Sequence, residues 1–286
     1  MKIWFEAARP RTLTAAVAPV LVGTAASGTL IWWRFALALV VGLAIQVGVN
    51  FANDYFDGVK GVDTPDRVGP RRATQAGLVT PAAMKRAVAI SFGIAALAGL
   101  ALAFAVGPEI LAAGLFCFLA ALGYSGGPKP YASSGLGEIF VFVFFGVVAT
   151  VGSAYVQVDR IVGTALAASV PVGLLATAIL VANNLRDIET DEAAGKRTLA
   201  VRLGPRGTVS VYRALILGSF LCLPSVAFAA DSLGPLIGFA ALPLAGPPLV
   251  LVGRKGDART LIRVLVGTAQ TQLVFGAFLA GGLWLS

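Results

Sequence analysis

Histidine is absent from the 286-residue chain. That excludes a Ser-His-Asp or Cys-His catalytic arrangement and any His-ligated metal site. Cysteine is almost absent. Cys117 and Cys222 lie in separate apolar runs with no CxxC pattern, which excludes a disulfide framework and reads both as small buried hydrophobes. Charge is also scarce: 13% of residues are charged and 57% are hydrophobic, whereas soluble domains carry about 25% charge. Disordered, collagen-like and secreted disulfide-rich classes are thereby excluded. The apolar runs are too long for a transmembrane β-barrel, whose strands alternate over about 10 residues. Any catalysis must use carboxylates, amides, hydroxyls, Lys and Arg, and carboxylates point to Mg²⁺ or Ca²⁺ rather than zinc.

What is present is a series of apolar segments. Reading runs between breakers predicts nine helices: Leu13–Trp33, Phe35–Asn53, Met84–Val106, Ile110–Tyr124, Leu136–Val156, Ile161–Asn183, Val209–Ala229, Leu233–Val252 and Leu261–Leu283. The expected fold is all-α, one integral-membrane domain over residues 1–286. The first run opens like a signal peptide, after Lys2, Arg9 and Arg11. Its length of about 20 residues and the eight runs that follow favour an uncleaved helix.

The net charge of +8 would suggest nucleic acid in a soluble protein. Here it sorts by side. With nine spans, 20 of the 22 Lys and Arg residues share the side of the N-terminus, and only Arg34 and Arg160 fall opposite. The positive-inside rule makes that side cytoplasmic and puts the C-terminus outside, in a multi-pass protein of the cell membrane. The lipid bilayer is the expected partner, and nucleic acid is not. The outer loops are short, so function is expected at the cytoplasmic mouths of the helices.

Two acidic clusters lie there. The first, Asn50-Phe51-Ala52-Asn53-Asp54-Tyr55-Phe56-Asp57, puts Asn50, Asp54 and Asp57 at i, i+4 and i+7 if the second helix continues through it. The second, Asn183-Asn184-Leu185-Arg186-Asp187-Ile188-Glu189-Thr190-Asp191, repeats the design with Asn183, Asp187 and Asp191 at i, i+4 and i+8. Carboxylates crowded at a membrane boundary repel one another and lose solvation, and a divalent cation relieves both penalties. Asp and Asn oxygens suit Mg²⁺, which keeps positions open for phosphate oxygens. Lys60, Arg67, Arg71, Arg72, Arg186, Lys196 and Arg197 stand nearby to meet the same phosphates. The expected picture is a diphosphate held by metal between two Asp-rich helix ends.

At these residues the chain resembles the UbiA superfamily of intramembrane aromatic prenyltransferases. It is most similar to the branch that prenylates 1,4-dihydroxy-2-naphthoate in menaquinone synthesis. The resemblance is carried by Arg9-Pro10-Arg11-Thr12-Leu13, by Asn53-Asp54-Tyr55-Phe56-Asp57 with Gly61 and Asp63, and by Gly126-Gly127-Pro128-Lys129-Pro130-Tyr131. Gly135-Leu136-Gly137-Glu138 and the run from Asn183 to Gly204 complete it. The 4-hydroxybenzoate branch has Asp where this chain has Gly61, and Asp63 follows two residues later in the naphthoate-type spelling.

The resemblance implies nine helices around a central cavity, and transfer of a polyprenyl group from polyprenyl diphosphate to the naphthoate with loss of CO₂ and pyrophosphate. It implies Mg²⁺, as two ions, on Asp54, Asp57, Asp187 and Asp191 with Asn50. The diphosphate contacts it implies are Asn50, Asn53, Lys60, Arg72, Lys129, Asn184, Arg186 and Lys196. Lys129 and Tyr124 join the four aspartates as catalytic candidates, and Arg9, Arg11 and Glu138 are candidates for the acceptor. Phe140, Phe142, Phe144 and Phe145 are candidates for the prenyl tail, with lipid contact or packing as the other reading. Such chemistry needs no strong base, in keeping with the missing histidine. The alternatives are another aromatic acceptor such as 4-hydroxybenzoate, a CDP-alcohol phosphotransferase and a cation-coupled transporter. The phosphotransferase motif would continue as Ala-Arg where this chain has Gly61-Val62. A transporter would place ionisable groups near mid-membrane rather than at one mouth.

Overall fold

A computed structural model describes residues 2–60, 72–127, 130–254 and 258–286, without the side chains of Lys60 and Ala258. These residues form helices and turns, with no strand among them. Nine apolar helices succeed one another among the described residues. They are α1 (Thr14–Ala26), α2 (Trp32–Lys60), α3 (Pro81–Val106), α4 (Glu109–Ser125), α5 (Gly137–Val158), α6 (Gly163–Arg186), α7 (Leu199–Ala229), α8 (Gly234–Leu251) and α9 (Ala258–Trp284). Seven have the length and apolarity to cross a membrane, and α1 and α4 are shorter. The chain is a multi-pass membrane protein.

The boundaries depart from expectation where local chemistry intervenes. The first helix stops at Ala26 because the Ser27 hydroxyl donates to the Thr24 carbonyl (2.7 Å) and Gly28 takes a left-handed φ of 67°. Trp32, Trp33 and Arg34 therefore open α2 rather than closing α1. Arg34 donates to the Val156 carbonyl (3.0 Å) and Asp159 (2.8 Å), which pins α2 to the far end of α5. The seventh helix begins ten residues before the expected Val209, at Leu199. The Thr198 hydroxyl caps Val201 N–H there, and the Gly204–Pro205 kink lets the helix turn before it enters the apolar run.

Lipid chains are as apolar as leucine, so helices in a bilayer associate through close packing of small residues. Gly146 of α5 and Gly173 of α6 illustrate this: a Cβ added at Gly146 would stand 2.6 Å from the Gly173 Cα. The bundle is unequal as a result. A continuous core of buried residues from α6, α7, α8 and α9, with parts of α1 and α5, makes one half solid. The other half, ringed by α1 to α6, is hollow.

Candidate active site

The hollow is a cavity of about 830 Å³ that runs from the charged ends of α2 and α6 down to Ala38, Ile110 and Val156 near the opposite ends of their helices. Its depth is apolar, and polar groups gather at the mouth.

Helix α2 does continue through the first acidic cluster, to Lys60. Asp57 and Asn53 line the cavity, and the Ser125 hydroxyl at the end of α4 donates to Asn53 Oδ1. Asp54 faces another way. Its Oδ2 accepts from Ala73 N–H and its Oδ1 from Thr74 N–H, both at 2.8 Å. Asp54 is buried beneath the 72–79 strap it holds and is not among the lining residues. The strap carries Arg72, which turns back onto Asp57 Oδ2. Asn50 lines the cavity while its Nδ2 donates to the Ala8 carbonyl (2.9 Å), which fixes the N-terminal segment to α2. That segment packs through Trp4 and Ala7 against Phe51 and Met84.

The second cluster is broken where a continuous helix was expected. Helix α6 ends at Arg186, Asp187 leaves helical geometry (φ −98°, ψ 7°), and a short helix Ile188–Ala193 restarts the chain. The register survives the break, since Asp191 N–H still donates to the Asp187 carbonyl (2.8 Å). Arg186 holds Asp187 in a two-pronged contact, Nε to Oδ1 at 2.7 Å and Nη2 to Oδ2 at 2.6 Å, and also donates to Asn183 Oδ1 at 2.9 Å. Asn184 donates to the buried Glu138 at 3.0 Å. Glu138 lies behind the cavity wall rather than in it.

The fold brings the two clusters together through one side chain. Lys196 Nζ lies 3.8 Å from Asp57 Oδ1 and 3.4 Å from Asp191 Oδ1. Gly195, at a left-handed φ of 72°, turns the chain there. Asp57, Asp187 and Asp191 thus share one rim, each beside a cationic group. Three carboxylates with the amide oxygens of Asn53 and Asn183 make an all-oxygen donor set of the kind that suits Mg²⁺. The chemistry of these residues suits such an ion, but among the described residues no three acidic side chains stand close enough together to grip one between them.

One wall of the cavity is aromatic. Tyr124 meets Tyr131 edge-on (5.4 Å between centroids), Tyr131 stacks on Phe140 (3.9 Å), and Phe140 is followed by Phe144 (6.1 Å). Burial and the neighbouring Tyr124 raise the Tyr131 pKa above that of a free tyrosine, so its phenol stays neutral. Phe140, Phe144 and Phe145 face the cavity, while Phe142 packs toward Gly173 of α6. Tyr124 lines the cavity beside Tyr131. Tyr55 packs on Phe56. Arg9 lines the cavity, whereas Arg11, two residues on, is exposed and does not.

Lys129, Asp63, Arg67, Arg71 and the side chain of Lys60 lie outside the described residues. Sequence reasoning gave no site role to Gln46, Thr12, Ser125 and Tyr131, all of which line the cavity. Gln46 was within reach of the pattern, being one turn before Asn50 on the same face. The others sit on different elements and gave no periodic signal.

Residues 14–265 match the model of the UbiA prenyltransferase family. A 1,4-dihydroxy-2-naphthoate octaprenyltransferase from Mycobacterium tuberculosis is 45% identical over 98% of this chain and 96% of its own length. The enzyme of that name from Escherichia coli is 40% identical, over 99% of this chain and 95% of its own. Among solved structures, the apo form of a UbiA homolog from Aeropyrum pernix superposes with a TM-score of 0.70 at 16% identity, covering 93% of this chain and 96% of that one. A UbiA homolog from Archaeoglobus fulgidus bound to GPP and Mg²⁺ superposes with a TM-score of 0.66 at 14% identity, covering 97% and 99%.

Proposed function

The chain belongs to the UbiA prenyltransferase family, and from that premise we propose that it transfers a polyprenyl group from polyprenyl diphosphate to 1,4-dihydroxy-2-naphthoate. CO₂ and pyrophosphate leave, and the product is demethylmenaquinol for menaquinone synthesis. The observation that carries this reading is the meeting of two carboxylate clusters around Lys196 at the mouth of a deep apolar cavity. The whole-length similarity to naphthoate octaprenyltransferases supports the naphthoate as acceptor.

The residues divide the reaction between them. Asp57, Asp187 and Asp191 would hold Mg²⁺ as two ions, with Asn50, Asn53 and Asn183 in support. Bound there, Mg²⁺ supplies Lewis-acid stabilisation of charge developing on the pyrophosphate. Asp54 contributes from behind, by fixing the strap that presents Arg72. Arg72, Arg186 and Lys196 offer N–H donors to the diphosphate oxygens, where negative charge grows as the allylic C–O bond breaks. Tyr124, Tyr131 and Phe140 would put aromatic surface beside the allylic cation, and the apolar depth keeps water from it. The ring carbon bearing the carboxylate donates its electron pair to the cation. Loss of CO₂ then returns a pair to the ring and restores aromaticity.

The test is purified protein given polyprenyl diphosphate, the naphthoate and Mg²⁺, with pyrophosphate release and product mass followed together. The expected product is the prenylated, decarboxylated diol. Transfer to 4-hydroxybenzoate with none to the naphthoate would overturn the choice of acceptor.

A further inference from the structure

The charged end of the bundle carries a second concentration of charge, on the solid half and away from the cavity. Between Leu199 and Arg263 the chain has seven Lys and Arg residues against two acids, Asp231 and Asp257. Asp231 lies in the turn between α7 and α8, at the opposite end. Arg202 is occupied, donating to the Arg197 and Ser134 carbonyls. Arg206, Arg213, Arg254, Arg259 and Arg263 are all exposed, and none of the five stands in an ion pair among the described residues.

Three of them reach the end of α8 from three different elements. A Cβ added at Gly253 would stand 2.3 Å from Arg213 Nη2, so the guanidinium carried by α7 rests against the turn that follows α8. Arg254 is the next residue of that turn, which its N–H closes onto the Leu251 carbonyl at 3.1 Å. From the other side α9 packs Gly267 against α8, where an added Cβ would meet Pro248 Cγ at 3.4 Å. Arg263 precedes Gly267 by four residues, so it shares that face one turn nearer the charged end. Its Nη2 donates to Thr260 Oγ1 at 3.3 Å, which leaves the rest of the fork open to solvent. Guanidinium groups gathered without a counter-charge repel one another, and an anion set among them removes the penalty. Phosphate oxygens match their forked N–H donors. Next to the arginines the surface turns apolar. Leu217 and Leu221 follow Arg213 at i+4 and i+8 and are 49% and 76% exposed, and Val250, one turn before Arg254, is 54% exposed. A phosphate alone would use only the arginines, whereas a phospholipid would use both surfaces.

We propose that Arg213, Arg254 and Arg263 form a site for an anionic phospholipid: its phosphate lies among the three guanidinium groups and its acyl chains run along Leu217, Leu221 and Val250. Basic pockets between membrane helices take such headgroups. None of the three arginines lines the substrate cavity. The lipid therefore binds without competing for the diphosphate, and it ties α7, α8 and α9 together at the edge of the solid core.

The experiment titrates the full chain, in a neutral detergent, with phosphatidylglycerol, phosphatidylcholine or inorganic phosphate. Melting temperature and retained lipid, the latter by native mass spectrometry, are followed together. Phosphatidylglycerol is expected to raise the melting temperature by roughly 5 °C or more near saturation. Phosphatidylcholine and inorganic phosphate should raise it far less. Arg254→Gln should weaken phosphatidylglycerol binding about fivefold, the worth of one basic residue at an anionic surface. The triple variant Arg213→Gln, Arg254→Gln, Arg263→Gln should no longer distinguish the two lipids. The double variant Lys85→Gln, Arg86→Gln, which removes two exposed charges from the same end of the bundle at α3, should distinguish them as wild type does. Equal shifts from the two lipids, or an equal shift from inorganic phosphate, would overturn the lipid assignment. So would wild-type binding in Arg254→Gln, which decides the matter even where the triple variant fails to fold, or an equal loss in the Lys85 and Arg86 variant. No readout depends on turnover, so the result stands apart from the transfer proposed above.

Discussion

Asp54 and Asp57 stand three residues apart on α2, about 60° apart around the helix axis, and that separation gives them different partners. Asp57 looks into the cavity with Arg72 and Lys196 beside it, whereas both oxygens of Asp54 accept backbone amides of the 72–79 strap. Asp57→Ala and Asp191→Ala are therefore expected to lower turnover by about a hundredfold or more. Asp54→Ala should lose turnover as well, but with a distinct signature. Each lost charged hydrogen bond costs about 1.5–3 kcal/mol, so the melting temperature falls and proteolysis near residue 72 speeds up. Wild-type stability in Asp54→Ala would show that the strap is held by something else. Lys196 sits between two carboxylates that would bind a divalent cation, and an ammonium there competes with the ion. Lys196→Ala should bind Mg²⁺ more tightly in a metal titration while turning over more slowly. Weaker Mg²⁺ binding would remove Lys196 from that role. The helical spacing that grouped Asn50, Asp54 and Asp57 on one face was legible in the sequence. Which of them the strap would claim was not, because the strap returns from 19 residues further along the chain.

At the scale of elements, small residues decide how close the helices come. The approach of Gly146 to Gly173 sets the line along which α5 meets α6, and α5 carries Phe140, Phe144 and Phe145 into the cavity. The helix widens to a π-helical turn over Phe142–Val148 at this point, a local change of register that recurs at functional sites. Gly146→Leu should cost about 1–3 kcal/mol, as overpacking does, and shift the aromatic wall. Thermal unfolding in detergent and the KM for polyprenyl diphosphate are expected to worsen together. An unaltered melting temperature would show that the two helices can separate freely. Periodicity located the apolar runs but misplaced their ends at Trp33 and Val209. Those ends are set by a hydroxyl cap and a left-handed glycine at Ser27–Gly28, and by the Thr198 cap with the Gly204–Pro205 kink. Hydropathy averages over such single-residue signals.

At the scale of the molecule, the bundle has a solid half and a hollow half, and the hollow opens at the end where the Lys and Arg residues concentrate. If that end faces the cytoplasm, a membrane-impermeant thiol reagent applied outside intact cells should label a cysteine placed at Ser286 and spare one placed at Lys2. The reverse pattern would invert the topology. Composition alone dictated a helical membrane protein, because a bilayer satisfies backbone polar groups only within helices or closed barrels and the apolar runs are too long for strands. The spacing of Asn and Asp dictated two matching carboxylate clusters, since helical periodicity is local and can be counted along the chain. The charge asymmetry grouped them with most of the Lys and Arg residues at one end of the helices. Their union could not be counted. Asp57 and Asp191 come within reach of one Lys196 only because α2 and α6 pack into the same ring, and Arg9 enters that ring only because Asn50 and Thr12 hold its backbone in a conformation an L-residue would otherwise leave. Contacts between residues distant in the chain depend on how whole helices pack, and that is decided by complementary surfaces rather than by spacing along one of them.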